Sequence, residues 1–220
     1  MAGTGFTPSF AELPTTLAIF PLTGVLLLPR GKLPLNIFEP RYLNMTRDAL
    51  AGHRMIGMVQ PCADEPGNDA PAVYATGCAG RITSFNETED GRFLITLTGV
   101  ARFDIGTEVE TIRGYRRVTP DWTRFKSDLA ETGDAAVDRP RLLNGLQAFF
   151  KLHSITADWE AITSTPDERL VTSLAMICPF APSEKQALLE AADLAERSRV
   201  MTALIEMAVL RRPDGDAARH

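Results

Sequence analysis

Gly24, Gly31 and Lys32 come nearest to a chemical motif in this sequence, because glycines ahead of a lysine are how a phosphate-binding loop is built. That loop has the form G-x-x-x-x-G-K-[S/T], its final hydroxyl serving Mg²⁺. Here six residues separate Gly24 from Gly31 and Leu33 follows Lys32, so the stretch reads as a turn between apolar strands. Ser183 with Lys185 and Ser127 with Lys126 are the candidate nucleophilic pairs. Such a dyad needs its amine desolvated and an oxyanion hole beside the serine. Neither pair lies among glycines or inside an apolar run, and each reads as a helix cap beside a solvated lysine. His53, His153 and His220 lack HExxH or any other spacing for a shared metal. His53, next to Gly52, suits a helix end, and His153 reads as a core-edge residue. Cys62, Cys78 and Cys178 are odd in number and form no C-x-x-C pair, which argues against disulfides and thiolate zinc alike. Asp64, Glu65, Glu87, Glu89 and Asp90 read as solubilising loop carboxylates. Gly77-Cys78-Ala79-Gly80 has the GxxG form of an RNA-clamping loop but lacks flanking basic helices, so a strand bulge is favoured. No catalytic, cofactor-binding or metal-binding residues are assigned, and the chain is not expected to be an enzyme.

Composition narrows the partners. The chain has 220 residues, enough for one large or two small cores, with 45% hydrophobic and 23% charged residues. A net charge of -5 opposes nucleic-acid binding, which needs a surplus of Lys and Arg. No apolar run approaches the ~20 residues that span a bilayer, and Met1–Glu12 shows no leader pattern. A cytoplasmic address without membrane partners is expected.

Periodicity divides the chain into a β-rich and a helical half, an α+β arrangement with domains at 13–122 and 123–212 and tails at 1–12 and 213–220. Thr16–Leu22 and Leu33–Phe38 read as buried strands, then Pro40 opens a helix with Tyr42, Met45, Ala49 and Leu50 on one face and Gly52 as its stop. Met55–Val59 and Val73–Phe85 follow as strands, with a loop at Cys62–Pro71 between them. Asp90-Gly91 signals a hairpin, after which Phe93, Ile95 and Leu97 share a face. Gly99 is expected to break this run before further strands at Ala101–Val109 and Tyr115–Pro120. Asp134–Ile155, Asp167–Cys178 and Ser183–Arg211 read as helices.

Three segments carry a family resemblance. Phe20–Tyr42 sets two apolar runs around a Pro/Gly turn ahead of Glu39-Pro40. Asp90-Gly91-Arg92 leads into Gly99-Val100-Ala101-Arg102-Phe103, a G-x-x-R-F strand. Pro182–Glu190 with Glu196-Arg197 forms a K-Q-x-L-L-E … E-R run. Together they resemble the N-terminal substrate-binding domain of Lon proteases, in particular stand-alone members without ATPase and protease modules. The resemblance implies a PUA-like antiparallel or mixed β pseudo-barrel with one helix, followed by a helical bundle. It further implies a non-catalytic module that binds unfolded or peptide segments of other proteins, adaptor-like or chaperone-like and associated with a separate ATPase or protease. An RNA- or nucleotide-binding PUA-like protein is the alternative. No motif fixes the contact residues; Val25, Leu26, Leu27, Leu28, Pro29 and Arg30 are the candidates, as apolar residues around a Pro/Gly turn left partly exposed.

Overall fold

The computed structural model describes residues 8–62, 70–110, 113–130 and 136–211. Most of the loop expected at Cys62–Pro71, and the tail expected at 213–220, lie outside the described residues. The chain forms two compact units, one from Met1–Gly133 with Thr172–Glu190, the other from Asp134–Val171 with Ala191–His220.

The first unit is built on six strands: β1 (Leu17–Pro21), β2 (Lys32–Ile37), β3 (Met55–Val59), β4 (Thr76–Glu87), β5 (Phe93–Val109) and β6 (Arg116–Asp121). Their order is β2-β5-β4-β3-β1-β6, parallel only between β1 and β3. The long β5 pairs with β2 near its start, with β4 along most of its length and with β6 near its end, so the sheet closes on itself from β5 through β4, β3, β1 and β6. This is the mixed pseudo-barrel of an α+β protein.

Gly99 does not end a strand. β5 runs through it, and the pairing with β4 shifts from Ala79–Ala101 to Gly80–Gly99, which leaves Val100 as the extra residue of a bulge. The bulge bends β5 so that one strand can serve both sides of the barrel. Inside, Leu17, Ile19, Val59, Ala101 and Val118 surround Phe103, whose ring lies 5.5 Å from that of Trp122. Gly77 is where it is because a Cβ there would stand 2.8 Å from Phe103 Cζ. The G-x-x-G stretch is therefore buried strand.

The helix α1 (Pro40–Ala51) begins at proline as expected, with Arg41 3.0 Å from Glu39 at its start. The hairpin turns at Gly91, in the left-handed region at φ +79°.

Thr123–Leu129 forms a 3-10 turn in the β-rich unit, because its Asp128 holds the buried Arg102. Asp128 accepts from Arg102 Nε and Nη2 and from the Arg102 backbone N–H, at 2.9, 2.8 and 2.9 Å. Arg102 Nη1 donates to Leu189 O at 2.9 Å, and the guanidinium lies 4.3 Å from the Phe125 ring centre. Leu189 belongs to α5 (Pro182–Glu190), so this arginine joins barrel, turn and helix of the one unit.

The expected helix at Ser183–Arg211 is two. α5 ends at Glu190 and α6 (Leu194–Leu210) starts afresh, because Asp193 accepts from Glu196 N–H at 2.8 Å as an N-cap. The second unit holds α2 (Arg139–Leu152), the unforeseen short α3 (Trp159–Ser164), the start of α4 (Asp167–Ile177) and α6. Arg141 grips Glu206 with two bonds of 2.7 Å, and Arg139 donates to the free carbonyls of Thr163 and Thr165 where α3 ends. From Thr172 onward α4 groups with the barrel. Arg197 and Ser198 are buried on α6.

Candidate functional site

The loop proposed from sequence folds inward. Leu26, Leu27 and Leu28 are 2%, 1% and 0% exposed and Pro29 is buried, so the expected apolar patch is core. The backbone explains this: Arg30 N–H donates to Gly99 O and Gly99 N–H to Gly31 O, both at 2.8 Å, which sews the loop onto the β5 bulge. Only Val25, half-buried, and Arg30, exposed, keep surface, and the Arg30 guanidinium is turned onto the carbonyls of Asp128 and Ala130.

Lys185 corrects a second expectation. It is buried, not solvated, and its Nζ donates to Gly24 O at 2.8 Å and Met176 O at 3.2 Å. Burial lowers its pKa, opposed by the nearby Cys178; burial pushes the Cys178 thiol up to about 12, against the pull of Lys185. A thiol held so strongly protonated is a poor nucleophile. Ser183, two residues from Lys185 on the same helix, is exposed while Lys185 points inward, so the two do not form a dyad. Lys126 is exposed and lies over the Phe10 ring at 5.1 Å. Gln60 and Gln186 are also buried, linked amide to amide at 3.2 Å, with Gln186 Nε2 donating to Thr76 O at 3.1 Å. These buried polar groups tie α5 to the barrel. His153 closes α2 with its ring 4.4 Å from that of Phe149, while His220 is outside the described residues. Among the described residues no three of His, Cys, Asp and Glu gather as a metal site would require.

Exposed apolar surface lies elsewhere, at the start of β5. Leu94 pairs with Asn36 of β2 on one side and Asn86 of β4 on the other. Its row faces outward, since its neighbours Phe93 and Ile95 are buried. Phe38 lies one residue past the end of β2, and the Arg92 guanidinium lies 6.0 Å from its ring centre. Phe38 is 60% exposed and Leu94 44%. β2 is the open edge here, with Pro34 removing one backbone donor, so side chains rather than ladder bonds are what this edge offers. Phe38 lies within the Phe20–Tyr42 stretch that carries the family resemblance. Which leucines and phenylalanines are exposed depends on how the loop folds over the β5 bulge, and no period in the sequence reports that.

Solved structures share the fold. A Lon N-terminal domain protein from Xanthomonas campestris matches with a TM-score of 0.59 at 24% identity, covering 86% of this chain and 98% of the other. The N-terminal domain of Mycobacterium avium complex Lon protease gives 0.60 at 16% identity, covering 87% and 98%. The family model of the ATP-dependent protease La (LON) substrate-binding domain matches residues 16–206, and the chain belongs to that family. Among relatives, Lon protease 2 of Myxococcus xanthus is 24% identical over 197 residues, 88% of this chain and 24% of that protein. Lon protease of Parabacteroides distasonis is 30% identical over 109 residues, 48% of this chain and 13% of that protein. The chain thus spans about a quarter or less of the length of these relatives. Among the described residues no helix is long and apolar enough to cross a membrane.

Proposed function

We propose that this protein captures unfolded or peptide segments of other proteins and leaves their bonds intact. It acts in the cytoplasm as an adaptor or chaperone-like factor beside a separate ATPase or protease. Family membership over residues 16–206 supports substrate recognition as the role. The observation that carries the reading onto a surface is the exposed pair Phe38, just past β2, and Leu94 of β5, large apolar side chains open to solvent. Apolar and aromatic anchors on a preorganised scaffold supply most of the energy of such contacts, while the flanking Asn36, Asn86 and Arg92 provide a polar rim.

A fluorescently labelled, permanently unfolded polypeptide titrated against the chain tests this. Saturable binding is expected, and Phe38→Ser or Leu94→Ser should each weaken it by about 1–2 kcal/mol, roughly five- to thirtyfold. Their thermal midpoints should stay close to that of the parent, because both side chains are solvent-exposed. Undiminished binding by the double variant would remove this surface from the account.

A further inference from the structure

A cleft of about 330 Å³ opens in the β-rich unit where the last turn of α1 meets the starts of β1 and β6. Ala18, Met45 and Ala49 give it an apolar floor; Asp48, His53, Tyr115 and Arg117 give it a polar wall. Pleating explains the arginine's place. Arg117 pairs with Ala18 across the β1–β6 ladder, and Ala18 lines the same cleft, while Arg116 and Val118 turn to the other face.

The acid in the wall is already answered. Arg113 donates to Asp48 Oδ1 at 2.6 Å and the Tyr115 hydroxyl to Oδ2 at 2.7 Å. Burial, and then the bond to that carboxylate, raise the Tyr115 pKa and keep its phenol a donor. The side chains of Arg117 and His53, by contrast, meet no acceptor among the described residues. A guanidinium above an apolar floor suits an anionic group on an apolar body, and a carboxylate matches its fork geometry.

We propose that this cleft binds an apolar carboxylate, namely the C-terminal end of a polypeptide whose last residue is apolar. Arg117 donates to the terminal carboxylate, His53 adds a second donor, and Ala18, Met45 and Ala49 receive the side chain. The volume falls near the lower end of the ~300–1,000 Å³ usual for small-ligand pockets, so it holds a chain end and not a threaded segment. The inference rests on the reading of the protein as a polypeptide binder and adds a preference for ends to it.

Calorimetric titration of the full chain with three probes tests it: a short unstructured peptide ending in leucine with a free carboxylate, the same peptide amidated, and N-acetyl-leucine. The free acid should bind at least ~tenfold more tightly than the amide, the loss expected for one charge-assisted bond. Arg117→Gln should bring the acid down to the amide's affinity and leave the amide unchanged, while Arg117→Lys recovers part of the difference. Both variants should keep the parental melting temperature, since Arg117 is only half-buried. Equal binding of acid and amide overturns the chain-end pocket, whether or not the unfolded polypeptide still binds at Phe38. Failure of the acid peptide and N-acetyl-leucine to bind overturns it as well. N-acetyl-leucine binding as tightly as the acid peptide overturns the chain end and assigns the cleft to a free acid.

Discussion

Asp128→Ala is expected to lower folding stability by about 3–5 kcal/mol, the loss that follows when one partner of a buried ion pair is removed. The Arg102 and Asp128 side chains are 3% and 9% exposed, so the deserted guanidinium has no water to turn to. Its bond to Leu189 O and its place over Phe125 offset little of a full charge. The Arg102 backbone N–H loses its acceptor too, which adds an unsatisfied donor to the cost. Urea denaturation followed by tryptophan fluorescence measures the effect through Trp122, packed in the same unit. The double variant Arg102→Met with Asp128→Ala should regain much of the loss, because no charge is then buried. A loss below about 1 kcal/mol for the single variant would class the pair with solvent-screened surface bridges and contradict its role here.

Gly99→Ala should be the more damaging change. An added Cβ would stand 2.0 Å from Leu28 O, 2.7 Å from Leu28 C and 3.1 Å from Pro29 Cα. All three are backbone atoms, and the loop that carries them is hydrogen-bonded to Gly99 on both sides, so neither chain can yield alone. Yielding would lift Leu26–Leu28 out of the core at roughly 1.5–3 kcal/mol for each side chain re-exposed. Loss of the cooperative transition, or a stability loss above about 4 kcal/mol, is therefore expected, a size reserved for overpacking and similar core damage. Gly91→Ala is the control: φ is +79° there but nothing lies within 4 Å, so only the left-handed backbone cost of about 1–2 kcal/mol applies. Similar melting temperatures for the two variants would refute the close packing of loop on bulge.

The contrast between these two glycines explains what the sequence could tell and what it could not. Gly91 announces itself locally, because Asp-Gly between alternating apolar residues is turn chemistry. The strand faces of Phe93, Ile95 and Leu97, the proline start of α1 and the α+β order are local in the same sense. Gly99 looks like a breaker because its reason lies in a loop that precedes it by some seventy residues. The burial of Leu26–Leu28 and Lys185 has the same origin, since both depend on contacts between segments far apart in the chain. The break at Asp193 was readable: an Asp followed three residues later by Glu196 is a capping signal within an otherwise helical pattern. Phe38 and Leu94 carried no signal at all, because an outward residue beside a buried one is what every half-buried strand displays.

Hydrogen exchange on the full chain, with and without a saturating unfolded polypeptide whose intact mass is followed in the same samples, tests the central claim most directly. Binding without chemistry predicts new protection at the β2 end around Phe38 and at the start of β5 around Leu94, with the polypeptide's mass unchanged. Unaltered exchange across the chain, or a polypeptide shortened by the protein alone, would contradict it.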